Sequence, residues 1–275
     1  MIWRAVDRVW EFPRTPIVMG VVNVTPDSFS DGGHYETTES AVSHALQLES
    51  QGAAILDIGG ESTRPGAKPV SEEEELKRVV PVIEKLAGQT KAAISIDTQK
   101  PSVAKAALSA GAIIINDIAA NREEETMWQL AAETNSGYVA THMLGNPKTM
   151  QTNPEYDDVL NDVETFFYSR MEKWTDWGMS LEQVVLDPGI GFGKTLEHNL
   201  TLLKGLEQLT KMERPLAVGT SRKSFIGDLT EAVVDDRLPG SLASACRAVQ
   251  AGGAIIRAHD VRETVQALQV WTAIN

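Results

Sequence analysis

The sequence predicts a single-domain α/β fold, a (β/α)8 TIM barrel over residues 1–275, because eight short apolar runs alternate with eight amphipathic stretches. The apolar runs are continuous rather than alternating, as is typical of parallel strands buried on both faces. Gly52, Gly111 and Gly253 each stand between an amphipathic stretch and the next apolar run, and glycine is the expected residue at the end of a helix. A doubly wound open sheet would show the same alternation, but no Gly-x-Gly-x-x-Gly motif follows the first strand, so we favour the barrel.

The strands and helices follow from these two kinds of segment. In chain order, the apolar runs predict strands at Ile17–Val22, Ala53–Ile58, Ala92–Ile96, Ile113–Ile115, Tyr138–Ala140, Val184–Leu186, Leu216–Val218 and Ala254–Ile256. The amphipathic stretches predict helices at Thr38–Ser50, Ser71–Leu86, Pro101–Ser109, Glu123–Thr134, Asp157–Trp177, Leu196–Leu209, Pro239–Gln250 and Val261–Ile274. Within the second helix, Ser71 is a predicted cap, and Glu72 to Glu75 are acidic residues of a first turn that complement the helix dipole.

The connection after the first strand, Asn23–Gly33, is long, polar and rich in turn-forming residues. Long connections in compact domains are usually functional or disordered. We interpret this one as functional, because the order of strand, polar residues and helix that it begins recurs along the chain.

The composition narrows the functional classes. The formal net charge of −13 disfavours nucleic-acid binding, and an anionic small molecule would need a few cations focused in one cleft. The single cysteine, Cys246, excludes an intrachain disulfide and a cysteine metal cluster. No apolar stretch reaches the roughly 20 residues of a membrane span, and Met1–Asp7 lacks the apolar core of a signal peptide. We therefore expect a cytoplasmic protein that binds neither nucleic acid nor membranes.

Polar side chains follow every predicted strand. They are Asn23, Asp57 with Glu61, Asp97, Asn116 with Asp117, His142, Asp187, Ser221 with Lys223, and Arg257 with His259. One such residue is usually only a cap or a turn former. Because the carboxyl ends of barrel strands share one face, where active sites of this fold lie, polar residues at all eight ends predict a binding rim.

Arg257 and His259 predict an anion site. Two residues apart on a strand, they lie on the same side, and the arginine fork suits a phosphate. With Lys223 and Arg64 they would concentrate positive charge, which favours a phosphate or diphosphate ligand. A buried ion pair with a neighbouring aspartate is the alternative for Arg257. Asn23 offers one oxygen to a Mg²⁺ that shares substrate phosphates, although asparagine is also a common turn residue.

Asp97, Asn116 and Asp187 predict a site for a flat heterocycle with amino and ring N–H groups, because buried carboxylates need donors. The alternative is a network that only braces the barrel. The glycine-rich segment Asp187–Lys194 lacks the spacing of a P-loop and is expected to place Phe192 against a ring. We interpret His142 as a structural, hydrogen-bonding histidine.

The motifs together resemble the dihydropteroate synthase family of folate biosynthesis over nearly the whole chain. The segments that carry the resemblance are Met19–Gly33, Asp57–Gly66, Ser95–Thr98, Ile115–Ile118, Asp187–Lys194, Ser221–Ser224 and Arg257–Asp260. Seven motifs in the same order are specific for this family, whereas any one of them alone would be weak evidence. The chain departs from the family pattern at Thr141, where the family commonly has a side chain that packs on the pterin, and at Ala258, where valine is usual.

The resemblance implies a reaction in which a dihydropterin hydroxymethyl diphosphate condenses with 4-aminobenzoate, giving dihydropteroate and diphosphate. It implies pterin ligands at Asp97, Asn116, Asp187 and Lys223, and diphosphate ligands at Asn23 with Mg²⁺, Thr63, Arg257 and His259. It implies aminobenzoate contacts at Arg64, Phe192, Ser221, Phe29 and Pro65, with Asp31 on the first loop and catalysis by Asp97, Lys223 and Arg257. The first loop from Thr25 to Gly33 is expected to be a mobile cover, and the resemblance suggests a homodimer through the outer helices.

Three other functions remain open from the sequence. A methyl transfer from a folate to a corrinoid protein belongs to the same superfamily, but Ser221-Arg222-Lys223 and Thr63-Arg64 disfavour it. A Schiff-base aldolase would use Lys223 in a phosphate-binding barrel. A pterin-binding module without chemistry is the non-enzymatic alternative, and nothing in the intact motifs favours it.

Overall fold

The computed structural model describes residues 1–12, 15–25, 34–62, 69–120, 122, 125–147 and 149–274, with the backbone alone for residues 34–37. Eight parallel strands close into a barrel in which the last strand pairs with the first. The barrel strands are β3 (Ile17–Asn23), β4 (Ile55–Gly59), β5 (Ala93–Asp97), β6 (Ile114–Asp117), β7 (Gly137–Thr141), β8 (Val184–Asp187), β9 (Leu216–Gly219) and β10 (Gly253–Ala258). They follow one another around the barrel in chain order, so the prediction of a (β/α)8 barrel is confirmed and the open sheet is excluded.

Helices surround the barrel in the order predicted. Across the described residues they are α1 (His34–Ser50), α2 (Glu72–Ala87), α3 (Pro101–Ala110), α4 (Glu125–Thr134), α5 (Val159–Asp176), α6 (Leu196–Leu209), α7 (Ser224–Thr230), α8 (Leu238–Gln250) and α9 (Val261–Ile274). The predicted cap of α2 is confirmed, because Ser71 Oγ accepts from the Glu74 N–H at 3.2 Å. The short helix α7 was not predicted. None of the described helices combines the length and hydropathy needed to cross a bilayer.

An antiparallel hairpin, formed by β1 (Ile2–Ala5) and β2 (Arg8–Glu11), precedes the barrel and was also missed. Trp3 stacks on Trp10 with 4.6 Å between ring centroids, and its Nε1 donates to the Gln183 carbonyl at 2.9 Å. The two tryptophans pack in one cluster with the first residues of the barrel strands, among them Ile55 and Ile114. The hairpin therefore covers the amino-terminal end of the barrel and leaves a site to the opposite end.

Alternation along the strands decides which side chains enter the barrel. Ile55 and Ile114, near the start of β4 and β6, belong to the inner cluster with the hairpin. Two positions later on the same faces stand Asp57 and Asn116, because strand side chains alternate with a period of two. The intervening residues, such as Leu56, pack outward against the helices. The inner surface is thus apolar at its amino-terminal end and polar at its carboxyl-terminal end.

Several described helices are followed by a glycine whose backbone takes a positive φ. Gly52 follows α1 with φ 106°, as predicted. Gly111 follows α3 with φ 122°, as predicted. After α8 the prediction was one residue late, because Gly252 has the positive φ of 91° and Gly253 opens β10. A Cβ at Gly252 would lie 2.7 Å from Thr210 Cγ2, so this helix end needs glycine both for its backbone and for space.

Candidate active site

An arginine held by two aspartates lies at the carboxyl end of the barrel. Arg257 Nε donates to Asp57 Oδ2 at 2.7 Å, and Nη2 donates to Asp97 Oδ2 at 2.6 Å. Asp57 is fully buried and also accepts from Asn116 Nδ2 at 2.9 Å. The ion pair considered as the alternative for Arg257 is therefore present. It ties β4, β5, β6 and β10 together on the inner face.

Burial raises the pKa of Asp97 to about 7, although the positive charge of Arg257 acts in the opposite direction. The charges of Asp57, Glu75 and Asp117 raise it further. Oδ1 of Asp97 and Oδ1 of Asp57 are buried and have no hydrogen-bond partner among the described residues. Buried carboxylate oxygens in this state are suited to the amino and ring N–H donors of a heterocycle.

Asp187, Lys223 and Phe192 form the neighbouring part of the site. Asp187 Oδ1 accepts from the Gly189 N–H at 2.8 Å, and burial raises its pKa against the effect of Lys223. Lys223 Nζ donates to the Ile190 carbonyl and lies 4.7 Å from the centre of the Phe192 ring. Burial lowers the pKa of Lys223 to about 8. The glycine-rich segment therefore places the Phe192 ring beside the ammonium group of Lys223.

Lys194 holds the glycine-rich segment against His142, which follows β7. Its Nζ lies 3.0 Å from His142 Nδ1 and donates to the Phe192 carbonyl at 3.0 Å. Burial lowers the pKa of Lys194 to about 7 and, together with the charge of Lys194, holds the pKa of His142 well below its usual value. Gly189, with φ 68°, passes so close to the His142 carbonyl that a Cβ would lie 1.9 Å from its oxygen. The structural interpretation of His142 is confirmed.

Ser221 and His259 meet at the rim, where the connections after β9 and β10 run side by side. Ser221 Oγ accepts from the His259 N–H at 3.1 Å and lies 3.0 Å from His259 Nδ1. Asn23 ends β3 opposite Gly59 in the strand register and is half-buried. Phe29, Asp31, Thr63, Arg64 and Pro65 lie outside the described residues.

Two residues of the predicted rim face elsewhere. Asn116 points into the barrel, so Asp117 points outward, where its Oδ2 accepts from Tyr138 Oη at 2.7 Å. Glu61 accepts from Lys100 Nζ at 2.9 Å, and the same nitrogen donates to Glu75, which is fully buried. The two departures have different causes: the alternation of side chains along β6 directs Asp117 outward, whereas Glu61 lies beyond the end of β4 and is held by Lys100.

Sequence reasoning gave too little weight to Asp57 and none to Lys194. Asp57 was named at a strand end but was not assigned to a site, although it is the fully buried partner of Arg257. Because side chains alternate along a strand, Asp57, two residues after the inward-facing Ile55, is expected on the inner face of the barrel. For Lys194 no local signal exists, because its partner His142 is 52 residues away.

A profile of the family described as pterin binding enzyme matches residues 19–259. The chain belongs to this family. The dihydropteroate synthase of Escherichia coli K12 is 49% identical over 258 residues, which cover 94% of this chain and 91% of that protein.

Solved structures of other pterin binding enzymes agree with this assignment. The Yersinia pestis dihydropteroate synthase, solved as a sulfonamide drug complex, is 46% identical and superposes with a TM-score of 0.93 over 100% of this chain and 99% of that one. The Xanthomonas albilineans enzyme is similar in complexes with 4-aminobenzoic acid (44% identity, TM-score 0.92, 99% and 97% coverage) and with 7,8-dihydropteroate (42%, 0.89, 100% and 98%). These relatives favour the synthase over methyl transfer and over a Schiff-base aldolase.

Proposed function

We propose that this pterin binding enzyme is a dihydropteroate synthase, which condenses 6-hydroxymethyl-7,8-dihydropterin diphosphate with 4-aminobenzoate to give 7,8-dihydropteroate and diphosphate. The observation that carries the proposal is the set of buried acceptors at the barrel mouth, Asp97, Asn116 and Asp187, beside the cations Lys223 and Arg257. Acceptors suit the N–H donors of a pterin, and cations suit a diphosphate leaving group. The relationship to the E. coli enzyme supports the same reaction.

Asp97, Asn116, Asp187 and Lys223 would hold the pterin inside the barrel. The ionised form of Asp97 accepts from the amino and ring N–H groups, and its charge stabilises the positive charge that develops at the methylene as diphosphate leaves. Lys223 Nζ donates to the Ile190 carbonyl, so the lysine is held in place before substrate binds. Pre-oriented groups of this kind lower the barrier because they need not reorganise during the reaction.

Arg257, His259, Asn23 and Thr63 would bind the diphosphate. Arg257 uses Nε and Nη2 for the two aspartates, so the guanidinium plane is fixed and Nη1 remains for a phosphate oxygen. No group of three or more histidine, cysteine or acidic residues in the described part of the chain could hold a metal. The single amide oxygen of Asn23 fits Mg²⁺, which keeps waters and shares substrate phosphates. Bound there, Mg²⁺ would neutralise charge on the leaving diphosphate.

Phe192 and Ser221 would contact 4-aminobenzoate, together with Arg64, Phe29 and Pro65. Ser221 Oγ lies at the rim beside His259, so a carboxylate bound at Ser221 would sit next to the diphosphate site. The arylamine then attacks the methylene as diphosphate departs, and no covalent enzyme intermediate is needed. Closure of the first loop, which carries Asp31, would exclude water from the cation.

We also propose a cytoplasmic homodimer that uses the outer surface of α8 and α9. A groove of about 480 Å³ lies between these helices, lined by apolar side chains that include Leu242, Ala267 and Val270. Val270 is 62% exposed and Ile274 is 72% exposed, so an apolar face remains uncovered in the single chain. Light scattering should give a dimer mass for the native chain and a monomer mass for Val270→Glu. A dimer mass for both would place the interface elsewhere.

The decisive experiment for the reaction measures diphosphate release from the pterin diphosphate with and without 4-aminobenzoate, and identifies the product by mass. Release that depends on aminobenzoate, with formation of dihydropteroate, is the expected result. Release of diphosphate without incorporation of the amine would refute the condensation. Borohydride treatment with a carbonyl substrate provides the control for Lys223, because covalent labelling would indicate an aldolase.

A further inference from the structure

Arg222 has a backbone conformation that is uncommon for a residue with a side chain. It lies in the connection between β9 and α7, and its φ is 58°. Residues other than glycine seldom adopt this left-handed region, and they persist there only where their surroundings determine the conformation. The neighbours of Arg222 in sequence are Ser221 and Lys223, which we assign to two different substrates.

Three sets of contacts hold Arg222 in this conformation, two with α8 and its cap residue and one with the residue before α9. Its backbone N–H donates to Ser241 Oγ on α8 at 2.9 Å, and its carbonyl accepts from Arg237 Nη1 at 3.2 Å. Its guanidinium makes a two-point contact with Asp260, from Nε to Oδ2 at 3.0 Å and from Nη2 to Oδ1 at 2.5 Å. The backbone donor, the backbone acceptor and the side chain are thus all engaged, which accounts for the persistence of an unfavourable φ.

Asp260 ties this connection to the one that carries His259. It immediately precedes α9, and its carbonyl accepts from the Thr264 N–H at 3.0 Å, so its position is fixed by the start of that helix. The connections after β9 and β10 are therefore joined twice. The inner link is Ser221 to His259, and the outer link is Arg222 to Asp260.

The outer link is one residue further along both connections than the inner link. A rotation about the backbone of Arg222 would turn Ser221 relative to Lys223, because Arg222 stands between them. The two-point contact with Asp260 opposes such a rotation, since a planar fork fixes orientation as well as distance. Arg222 is 37% exposed and Asp260 is 15% exposed, and a partly exposed ion pair contributes little to global stability by itself. The ion pair between Arg222 and Asp260 therefore matters for the orientation of the connection more than for the stability of the fold.

We propose that Arg222 is a positioning residue: its ion pair with Asp260 aligns Ser221 with His259, and so sets the aminobenzoate subsite against the diphosphate subsite. Arg222 acts through Asp260 and the backbone and does not touch the substrate. The assignment of the two subsites rests on the proposed function, whereas the alignment of Ser221 with His259 can be measured without any substrate.

Four variants test the proposal. Arg222→Gly removes the ion pair and also removes the backbone strain, so the fold is retained while the alignment is lost. Asp260→Asn removes the negative charge of the partner. Arg222→Lys keeps the positive charge but lacks the planar guanidinium that makes the two-point contact. The double variant, Arg222→Gly with Asp260→Asn, tests whether Arg222 and Asp260 act as one unit. Glu231→Gly is the matched control, because Glu231 has φ 60° at the exposed end of α7 and no part in this link.

Steady-state kinetics should separate the two substrates. In Arg222→Gly and Asp260→Asn we expect the KM for 4-aminobenzoate to rise about tenfold or more, as for loss of a hydrogen bond to a charged group, while the KM for the pterin diphosphate stays within about threefold. Arg222→Lys should be intermediate, the double variant no worse than the poorer single variant, and Glu231→Gly unchanged. An unchanged KM for aminobenzoate, an equal rise in both KM values, or additive losses in the double variant would overturn the proposal.

Nitrogen NMR of the His259 imidazole provides a second readout, and with five histidines in the chain its signal can be assigned by substitution. Arg222→Gly and Asp260→Asn should shift the His259 Nδ1 resonance, and Glu231→Gly should not. Absence of a shift would overturn the alignment even if the kinetics changed. If the native chain made no dihydropteroate while the resonance still responded, the proposed function would fail and the alignment would stand.

Discussion

Replacement of Arg257 by methionine should destabilise the protein in a pH-dependent manner. The change leaves Asp57, fully buried, and Asp97, 7% exposed, without their shared cation. Removal of one partner from a buried ion pair is destabilising by about 3–5 kcal/mol. In a chain of this size, each kcal/mol lost from the free energy of unfolding lowers the unfolding temperature by roughly 2–4 °C. We therefore expect the unfolding temperature of Arg257→Met to be about 10 °C below that of the native protein at pH 8.

The sign of the pH dependence follows from Asp97. Its pKa in the folded protein is raised to about 7, so the folded state binds more protons than the unfolded state between its ordinary value and that pH. Without Arg257 the pKa of Asp97 rises further, because the main opposing influence is gone. The loss of stability caused by Arg257→Met is therefore fully present above the pKa that Asp97 has in the folded protein. It becomes smaller at acid pH, where the Asp97 carboxyl takes up a proton.

Thermal unfolding at pH 5.5 and pH 8 measures this difference. The deficit of Arg257→Met should be clearly smaller at pH 5.5, whereas Arg262→Met, which removes an exposed arginine on α9, should be nearly neutral at both pH values. An equal deficit at the two pH values would refute the reasoning that the buried carboxylates cause it.

Ligand binding by the same variant tests the second role of Arg257. Loss of a charge-assisted hydrogen bond weakens binding by about 10- to 100-fold, so the pterin diphosphate should lose this much affinity. The bare hydroxymethyl pterin should lose far less. Calorimetry with both ligands decides the point, and equal losses would exclude diphosphate binding by Arg257.

Three further outcomes are expected. In the native protein the affinity for the pterin should fall as the pH drops below about 7, because Asp97 takes up a proton. The variant Asp97→Asn should bind the pterin at least about tenfold more weakly, and its affinity should not depend on pH in this range. If its affinity still fell at low pH, the role of Asp97 would be contradicted. Lys100→Met should lower the unfolding temperature by about 6–12 °C, because it leaves the fully buried Glu75 without its cation, and a shift below about 2 °C would contradict this. Asp31→Ala should reduce turnover while leaving pterin affinity nearly intact, and a parallel loss of affinity would place the first loop in the pterin pocket.

Local patterns were sufficient for the barrel and for most of its rim. The continuous apolar runs located all eight barrel strands, and most helix ends were correct to within a few residues. The hairpin β1–β2 was missed because its short strands mix charged with apolar residues and form no continuous apolar run, unlike the four-residue barrel strands β6, β8 and β9. Segments this short carry too few repeats for a period of two to stand out from chance.

The sequence by itself determined which residue types lie at the strand ends, because strand period and burial are local properties of the chain. It collected Arg257, Asp97, Asn116 and Asp187 at the same face, whereas His259, which was predicted on the same strand as Arg257, lies just beyond the end of β10. These inferences needed only the rule that the carboxyl ends of barrel strands share one end of the fold.

Only the tertiary structure decided which of these residues contact one another. Arg257 meets Asp57 across 200 residues of sequence and Asp97 across 160, because β10 closes the barrel beside β3. β10 also pairs with β9, which brings the connection after β9 against the one after β10, so that Arg222 reaches Asp260. Such partners depend on strand order, stagger and tilt of the closed sheet, which no local pattern encodes.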